Sequence, residues 1–213
     1  MNEPLAADKQ VTLSAFYLMA QLRQGIQHPQ EMVGQWPKKI VTEITKTVEQ
    51  RARAKLLGKE IPSLLFLPSG APRSNQSKGN IAAKYVALHI QEGAQLKTGK
   101  LKGSGYPDNY LQYQGDFICC LEFKATSQWN ENDGNRRVLT SSTSKMVVAI
   151  DSKSLPATPC HLLATIIYDD ETGVLNGLRL DFLQPDSFVN VRLEASTSHN
   201  LLHSGGHVTI EIT

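Results

Sequence analysis

Long hydrophobic runs and abundant cysteine are both missing from this chain of 213 residues. No stretch of 18 consecutive apolar residues occurs, which argues against a membrane-spanning helix. The start, MNEPLAADKQ, lacks the charged and apolar regions of a secretory signal peptide. The cysteines, Cys119, Cys120 and Cys160, are too few for a disulfide framework, and no CxxC spacing indicates a zinc site. We therefore expect a cytoplasmic protein with no membrane partner.

The motifs of several large enzyme classes are absent as well. The chain contains no GxGxxG, no P-loop, no HExxH and no nucleophile elbow. His199, His203 and His207 recur every four residues, but the sequence SGG at 204–206 interrupts any helix that would place all three on one face. Neither a nucleotide-binding loop nor a histidine-based zinc site is therefore indicated.

The charge is unevenly distributed although the net charge is only +2. Residues 38–60 carry seven lysine or arginine residues against three acids, whereas residues 103–180 carry six against nine. A basic N-terminal half suits a polyanion such as nucleic acid. A solvated helix face would give the same composition, so both interpretations stay open here.

Helices are predicted first and strands later. Helical segments are expected at 11–26, at 37–58 with an apolar stripe every four residues, and at 80–93 with Asn80 as the N-terminal cap. The stripe of the second segment contains Ile40, Ile44, Val48, Ala52 and Leu56. The segment SSTSKMVVAIDSK allows a short helix, and HLLATIIYDD, GLRLDFL, FVNVRLEA and HVTIEIT are typical of strands.

This order predicts a mixed α/β (α+β) fold with a central mixed β-sheet flanked by helices. We divide the chain into an N-terminal helical region at 1–67, a loop at 68–79 and a core with C-terminal strands at 80–213. The helical region would grip the DNA backbone or form a dimer interface.

Two acids and a lysine occur in an otherwise apolar predicted hairpin, GSGYPDNYLQYQGDFICCLEFKAT. Glu122 and Lys124 are two residues apart, so they face one side of a strand, and a turn at Gln114–Gly115 allows Asp108 to approach Glu122. Two neighbouring carboxylates need a positive partner, and Mg²⁺ favours such ligands. The residue types suit metal-assisted phosphodiester cleavage. Asp116, expected in the turn, is an alternative metal acid.

The pattern Pro107-Asp108, thirteen residues, then Glu122-Phe123-Lys124 resembles the PD-(D/E)xK motif of a nuclease superfamily that includes many type II restriction endonucleases. The resemblance covers about residues 79–168, as a helix, a hairpin bearing the motif, a crossover segment and a further strand. It implies a restriction-endonuclease-like core.

The resemblance also implies roles for individual residues. Asp108, Glu122 and the backbone carbonyl of Phe123 would bind Mg²⁺, for which Mn²⁺ can substitute, and Lys124 would position the attacking water or stabilise the transition state. Many members carry a further glutamate on the preceding helix, where this chain has Ala82 and Ala83. The possible substitutes are Glu43, Glu49, Glu60 and Glu92, and the number of metal ions stays open.

A polar segment after the motif offers candidate DNA contacts, because arginine and amide side chains read base edges and phosphates. These candidates are Gln128, Asn130, Asn135, Arg136, Arg137 and Ser141. The expected function is that of a sequence-specific double-stranded DNA endonuclease, acting as a homodimer so that two sites cut the two strands. A repair or recombination nuclease and a non-catalytic DNA-binding module are the alternatives.

Overall fold

The fold is given by a computed structural model, which describes residues 9–91, 95–103, 105–127, 137–139, 143–191, 200–202 and 208–213. Four helices and ten strands lie within these ranges. The helices are α1 (Leu13–Arg23), α2 (Lys38–Lys55), α3 (Asn75–Ile90) and α4 (Ser144–Asp151). The strands are β1 (Lys9–Thr12), β2 (Leu96–Lys100), β3 (Asn109–Tyr113), β4 (Phe117–Thr126), β5 (Arg137–Leu139), β6 (Cys160–Tyr168), β7 (Leu175–Leu183), β8 (Phe188–Val191), β9 (Asn200–Leu202) and β10 (Val208–Ile212).

A six-stranded mixed sheet in the order β10-β7-β6-β4-β3-β2 forms the centre of the fold. Strands β2, β3 and β4 form an antiparallel meander, and β4 runs parallel to β6. A parallel pair needs a crossover, and α4 lies on the connection between these two strands. The predicted class, a mixed α/β fold with a central mixed sheet and flanking helices, is confirmed. A smaller sheet has the order β1-β8-β9-β5.

The helix starts depend on local capping. Thr12 caps α1 by accepting a hydrogen bond from the Ala15 amide, and α2 follows Pro37. The predicted stripe on α2 is confirmed, because Ile44, Val48 and Ala52 are buried. The first prediction included Val11 in a helix, but Val11 belongs to β1, where it pairs with Val189.

The start of α3 differs from the prediction. Ser74, not Asn80, is the N-cap, and its hydroxyl accepts a hydrogen bond from the Ser77 amide. Residues 75–79, placed in the loop at 68–79 by the sequence, therefore belong to the helix, which ends at Ile90 rather than at residue 93. A helix can extend beyond its apolar residues into a polar segment when an N-cap accepts a hydrogen bond from its first amide groups. Hydrophobic periodicity does not reveal such an extension.

The two faces of the large sheet pack against different helices. Cys119 and Leu121 of β4 lie in a hydrophobic cluster with the stripes of α2 and α3. Cys120, on the opposite face, lies in a second cluster with residues of α1 and α4, such as Tyr17 and Met146. Because side chains alternate along a strand, Glu122 and Lys124 share the face of Cys120, away from α2 and α3.

A buried ion pair lies on this same face two strands away. Arg179 and Asp181 of β7 are in contact, with Nη2 3.0 Å from Oδ1, and Thr209 donates a hydrogen bond of 2.7 Å to the same Oδ1. Asp181 pairs in register with Leu163, which in turn pairs with Glu122. The face that carries the predicted motif therefore has charged side chains on β4 and on β7, with Leu163 of β6 between them. In the described part of the chain, no helix is both long and apolar enough to cross a membrane.

Removing one partner of this ion pair tests its contribution to folding. We expect Asp181→Ala to lower the free energy of unfolding by about 3–5 kcal/mol, because Arg179 would lose its carboxylate partner in a buried position. The matched control is Glu49→Ala, which breaks an exposed pair with Arg53 on α2 and should cost less than about 1 kcal/mol. Urea denaturation at pH 7 measures both, and equal effects of the two substitutions would contradict the expectation.

Candidate active site

The β3–β4 hairpin brings Asp108 and Glu122 together. Strand β3 begins at Asn109, which pairs with Leu121, so Asp108 lies beside Glu122. The Asp108 amide donates a hydrogen bond of 3.0 Å to Oε2 of Glu122. The Asp108 carbonyl accepts a bond of 3.0 Å from the Leu101 amide. The backbone of Asp108 is therefore held from both sides while its side chain remains 68% exposed.

Lys124 completes the predicted group. Its Nζ lies 2.7 Å from Oε1 of Glu122, as expected for residues two apart on one strand face. The Glu122 side chain is 8% exposed and that of Lys124 is 26% exposed. The Phe123 side chain packs on the other face, against the cluster of α2 and α3. The structure thus brings Asp108, Glu122 and Lys124 together, and the proposed role of the Phe123 carbonyl stays a prediction.

A second lysine at this group was not predicted from the sequence. Lys145 of α4 places Nζ 2.9 Å from Oδ1 of Asp108 and 3.1 Å from the carbonyl oxygen of Gly105. Its side chain is only 3% exposed. The one signal in the sequence was a lysine at the start of the apolar run KMVVAI, which a short helix was expected to contain.

The chain just before Asp108 is anchored in the second core. The Tyr106 hydroxyl donates a hydrogen bond of 2.9 Å to Nδ1 of His161, and Nε2 of His161 donates one of 2.8 Å to the Met32 carbonyl. The rings of Tyr106 and His161 stack with centroids 5.6 Å apart, and Tyr17 stacks on both. The start of β6 thus fixes the segment that carries Asp108.

Burial controls the protonation of this anchor. Complete burial lowers the pKa of His161 from 6.5 to about 4, although the hydrogen bond to Met32 acts in the opposite direction. Burial likewise raises the pKa of the Tyr106 hydroxyl well above its usual value. At neutral pH both groups are uncharged, which fixes Nε2 as the protonated nitrogen because the Met32 carbonyl can only accept.

The Asp108 and Glu122 carboxylates are of the chemical type that a hard divalent cation prefers. Each carboxylate contacts an ammonium group, Lys145 for Asp108 and Lys124 for Glu122. The exposed Asp108 side chain leaves room for water and a phosphate oxygen, which Mg²⁺ commonly retains beside one or two carboxylates. Within the described ranges, no group of three or more histidine, cysteine or acidic residues is placed to hold a metal ion.

The other candidate acids lie elsewhere. Asp116 is exposed in the turn, six residues before Glu122, which is about 20 Å along a strand. Glu43 and Glu49 lie on α2, on the other side of the sheet, and Glu60 forms an isolated bridge with Val174. Glu92 lies outside the described residues, and Ala82 is buried in the cluster under α3.

Five of the six predicted DNA contacts fall outside the part of the chain that the structure describes. Gln128, Asn130, Asn135, Arg136 and Ser141 lie outside the described residues, as do His199, His203 and His207. The backbone of Arg137 begins β5, which pairs with β9 in the small sheet.

The basic surface of α2 is separate from the candidate site. Lys39, Lys46 and Arg53 are exposed on α2, whose apolar stripe packs on the sheet face opposite Glu122. Arg53 contacts Glu49 and donates a hydrogen bond to the Thr213 carbonyl. The basic residues of α2 and the group around Glu122 therefore lie on opposite sides of the sheet.

A scan of the chain against protein-family models finds no match, and searches of curated proteins and of solved structures find no similar protein.

The titration of His161 predicts a pH dependence of stability. Its pKa in the folded protein lies below 6.5, so between pH 6.5 and about 4 the unfolded state binds more protons. This contribution to stability is complete above pH 6.5 and is lost as the pH falls through that window, by about 2 kcal/mol at pH 5.0. Urea denaturation at pH 7.5 and 5.0 measures the loss.

The matched variant is His161→Gln, which keeps a donor and an acceptor but does not titrate. It should be less stable at pH 7.5 and should show a smaller loss between the two pH values. An unchanged difference between pH 7.5 and 5.0 in the variant would assign the pH dependence to other groups.

Proposed function

We propose that this protein is a Mg²⁺-dependent, sequence-specific endonuclease of the PD-(D/E)xK type that cuts double-stranded DNA as a homodimer, like a type II restriction enzyme. The observation that carries the proposal is the contact group at the start of the β3–β4 hairpin. The Asp108 backbone amide donates a 3.0 Å hydrogen bond to the Glu122 carboxylate, and Nζ of Lys124 lies 2.7 Å from that carboxylate. Residues fourteen apart in sequence thus form one group with the chemistry that phosphodiester hydrolysis needs.

The order of elements around the group supports the proposal. Helix α3, the β3–β4 hairpin, the crossover helix α4 and the parallel strand β6 follow one another along the chain. This is the succession of helix, motif-bearing hairpin, crossover and strand that the resemblance implies. A restriction-endonuclease-like core is therefore part of the proposal.

Each side chain has a chemical task in the proposed reaction. Asp108 and Glu122 would hold Mg²⁺, which when bound supplies a Lewis acid for a phosphate oxygen and lowers the pKa of a water. Lys124 is partly exposed, so its ammonium can turn from Glu122 towards the phosphate and neutralise charge that develops there. A water oxygen forms a bond to phosphorus as the bridging P–O bond breaks. The attacking water releases its proton to solvent, the departing oxygen takes one up and leaves as an alcohol, and no covalent enzyme intermediate is needed.

The burial pattern of the site supports catalysis over simple binding. The Glu122 side chain is nearly inaccessible and pairs with a lysine. It therefore differs from an exposed ion pair without function, which would contribute little to stability. A non-catalytic DNA-binding module would rely on the basic face of α2, which lies on the other side of the sheet.

The first test is incubation of the purified protein with phage-length DNA and Mg²⁺. We expect discrete fragments from the wild type, and a rate lower by on the order of 100-fold or more for Lys124→Ala, since a donor to the developing charge is removed. Glu122→Gln should abolish cutting because the neutral amide no longer attracts a cation. Gel electrophoresis of the products follows the rate.

Two variants on α2 are matched controls, Lys46→Ala and Glu49→Gln, because they repeat the chemical changes on the opposite side of the sheet. Both should cut at the wild-type rate. Random fragments from the wild type would indicate a repair or recombination nuclease. Retarded but uncut DNA, with retardation lost in Lys46→Ala, would overturn the catalytic proposal and support the binding module.

A further inference from the structure

We propose that Lys145 is a fixed cation that keeps the Asp108–Glu122 pair weak for divalent metal ions until a substrate phosphate is present, so that the site takes one metal ion together with DNA. This inference rests on the proposed function, since it concerns the metal ligands of the proposed nuclease. It assigns a role to a residue that the sequence motif does not include.

Lys145 is held too firmly to leave Asp108. Its ammonium group contacts two oxygens, Asp108 Oδ1 at 2.9 Å and the Gly105 carbonyl at 3.1 Å, and its side chain is almost completely buried. The next residue, Met146, is fully buried in the second cluster, which fixes the helix. Withdrawal would cost both bonds and leave a buried charge without a partner.

The two lysines therefore differ in mobility. Lys124 contacts Glu122 from the same strand, and about a quarter of its side chain is exposed, so it can rotate towards a substrate without disturbing the core. Lys145 comes from a different element and is locked between a side chain and a backbone carbonyl. Only Lys124 is free to exchange a carboxylate for a phosphate oxygen.

Charge balance then links metal binding to substrate binding. With both lysines in place, the two carboxylates are neutralised, and a dication entering the site meets no net negative charge. When Lys124 turns to the substrate, Lys145 still offsets one carboxylate, so a single negative charge remains on the protein. A phosphodiester adds one negative charge, so with Lys124 on the phosphate the site and substrate together carry one net negative charge, where the free site carries none. Metal and DNA must then raise each other's affinity by the same factor.

The same balance argues for one metal ion. Two dications need more negative charge than the single net charge that the two carboxylates, the two lysines and one phosphodiester provide together. In the part of the chain that the structure describes, no third acid joins the pair.

The test compares Mn²⁺ binding in the absence of DNA, followed by the electron paramagnetic resonance signal of free Mn²⁺. Lys145→Gln removes the charge but keeps a donor for the Gly105 carbonyl, and we expect it to bind Mn²⁺ at least about tenfold more tightly than the wild type. Lys145→Arg retains the charge and should bind as weakly as the wild type. Circular dichroism confirms that each variant is folded, and Lys145→Met replaces Lys145→Gln if the latter does not fold.

A double variant, Lys145→Gln with Asp108→Asn, locates the effect and should lose the gain in affinity. Equal or weaker Mn²⁺ binding by the neutral variant would overturn the inference, and so would a gain that survives in the double variant. Either result leaves the proposed function standing if the wild type cuts DNA and Glu122→Gln does not. Failure of cleavage by the wild type instead counts against the proposed function.

Discussion

The antiparallel register of β3 and β4 is the constraint on which the rest of the candidate site depends. Because Asn109 pairs with Leu121, the residue before β3 comes to lie beside the residue after Leu121. A slip of one position would turn Glu122 and Lys124 into the core of α2 and α3 and would bring Phe123 to the polar face. The register is held by the buried side chains of Cys119 and Leu121 on one side and by Cys120 on the other. Hydrophobic packing thus determines where the charged groups meet.

The two faces of the central sheet differ in the side chains that they carry. The face under α2 and α3 carries most of the buried apolar side chains and forms the larger core, and the opposite face carries charged groups beside the smaller cluster. On that face the buried charges come in pairs, with lysines on Asp108 and Glu122 and an arginine on Asp181. Pairing is required because a buried charge without a partner is costly. The same requirement explains why a chain with a small net charge carries so many charged residues into one sheet.

Local signals in the sequence predicted four features: the hairpin, the stripe of α2, the short helix after the motif and the mixed sheet. These signals are turn residues, the spacing of apolar residues, and the alternation of apolar and polar residues. Each extends over only a few positions, so it can be recognised in the sequence. The start of α3 could not be predicted, because Ser74 and Asn80 are both good N-caps and nothing in the sequence shows that Ser74 is the one used. Lys145 was missed for a related reason. Its partners, Gly105 and Asp108, are about forty positions away, and nothing near Lys145 in the sequence marks them.

The sequence alone determined which side chains are available for chemistry. They are two acids and a lysine, and the second acid and the lysine are two residues apart on a strand that follows a turn. That information is local, because spacing along a strand sets the face on which a side chain lies. Only the tertiary structure decided that α4 would place a second, immobile lysine on Asp108, and that His161 of β6 would hold the segment before it through Tyr106. It also placed the basic α2 on the far side of the sheet. These arrangements depend on which helix packs on which face, a choice made by the burial of whole elements and not by any short motif.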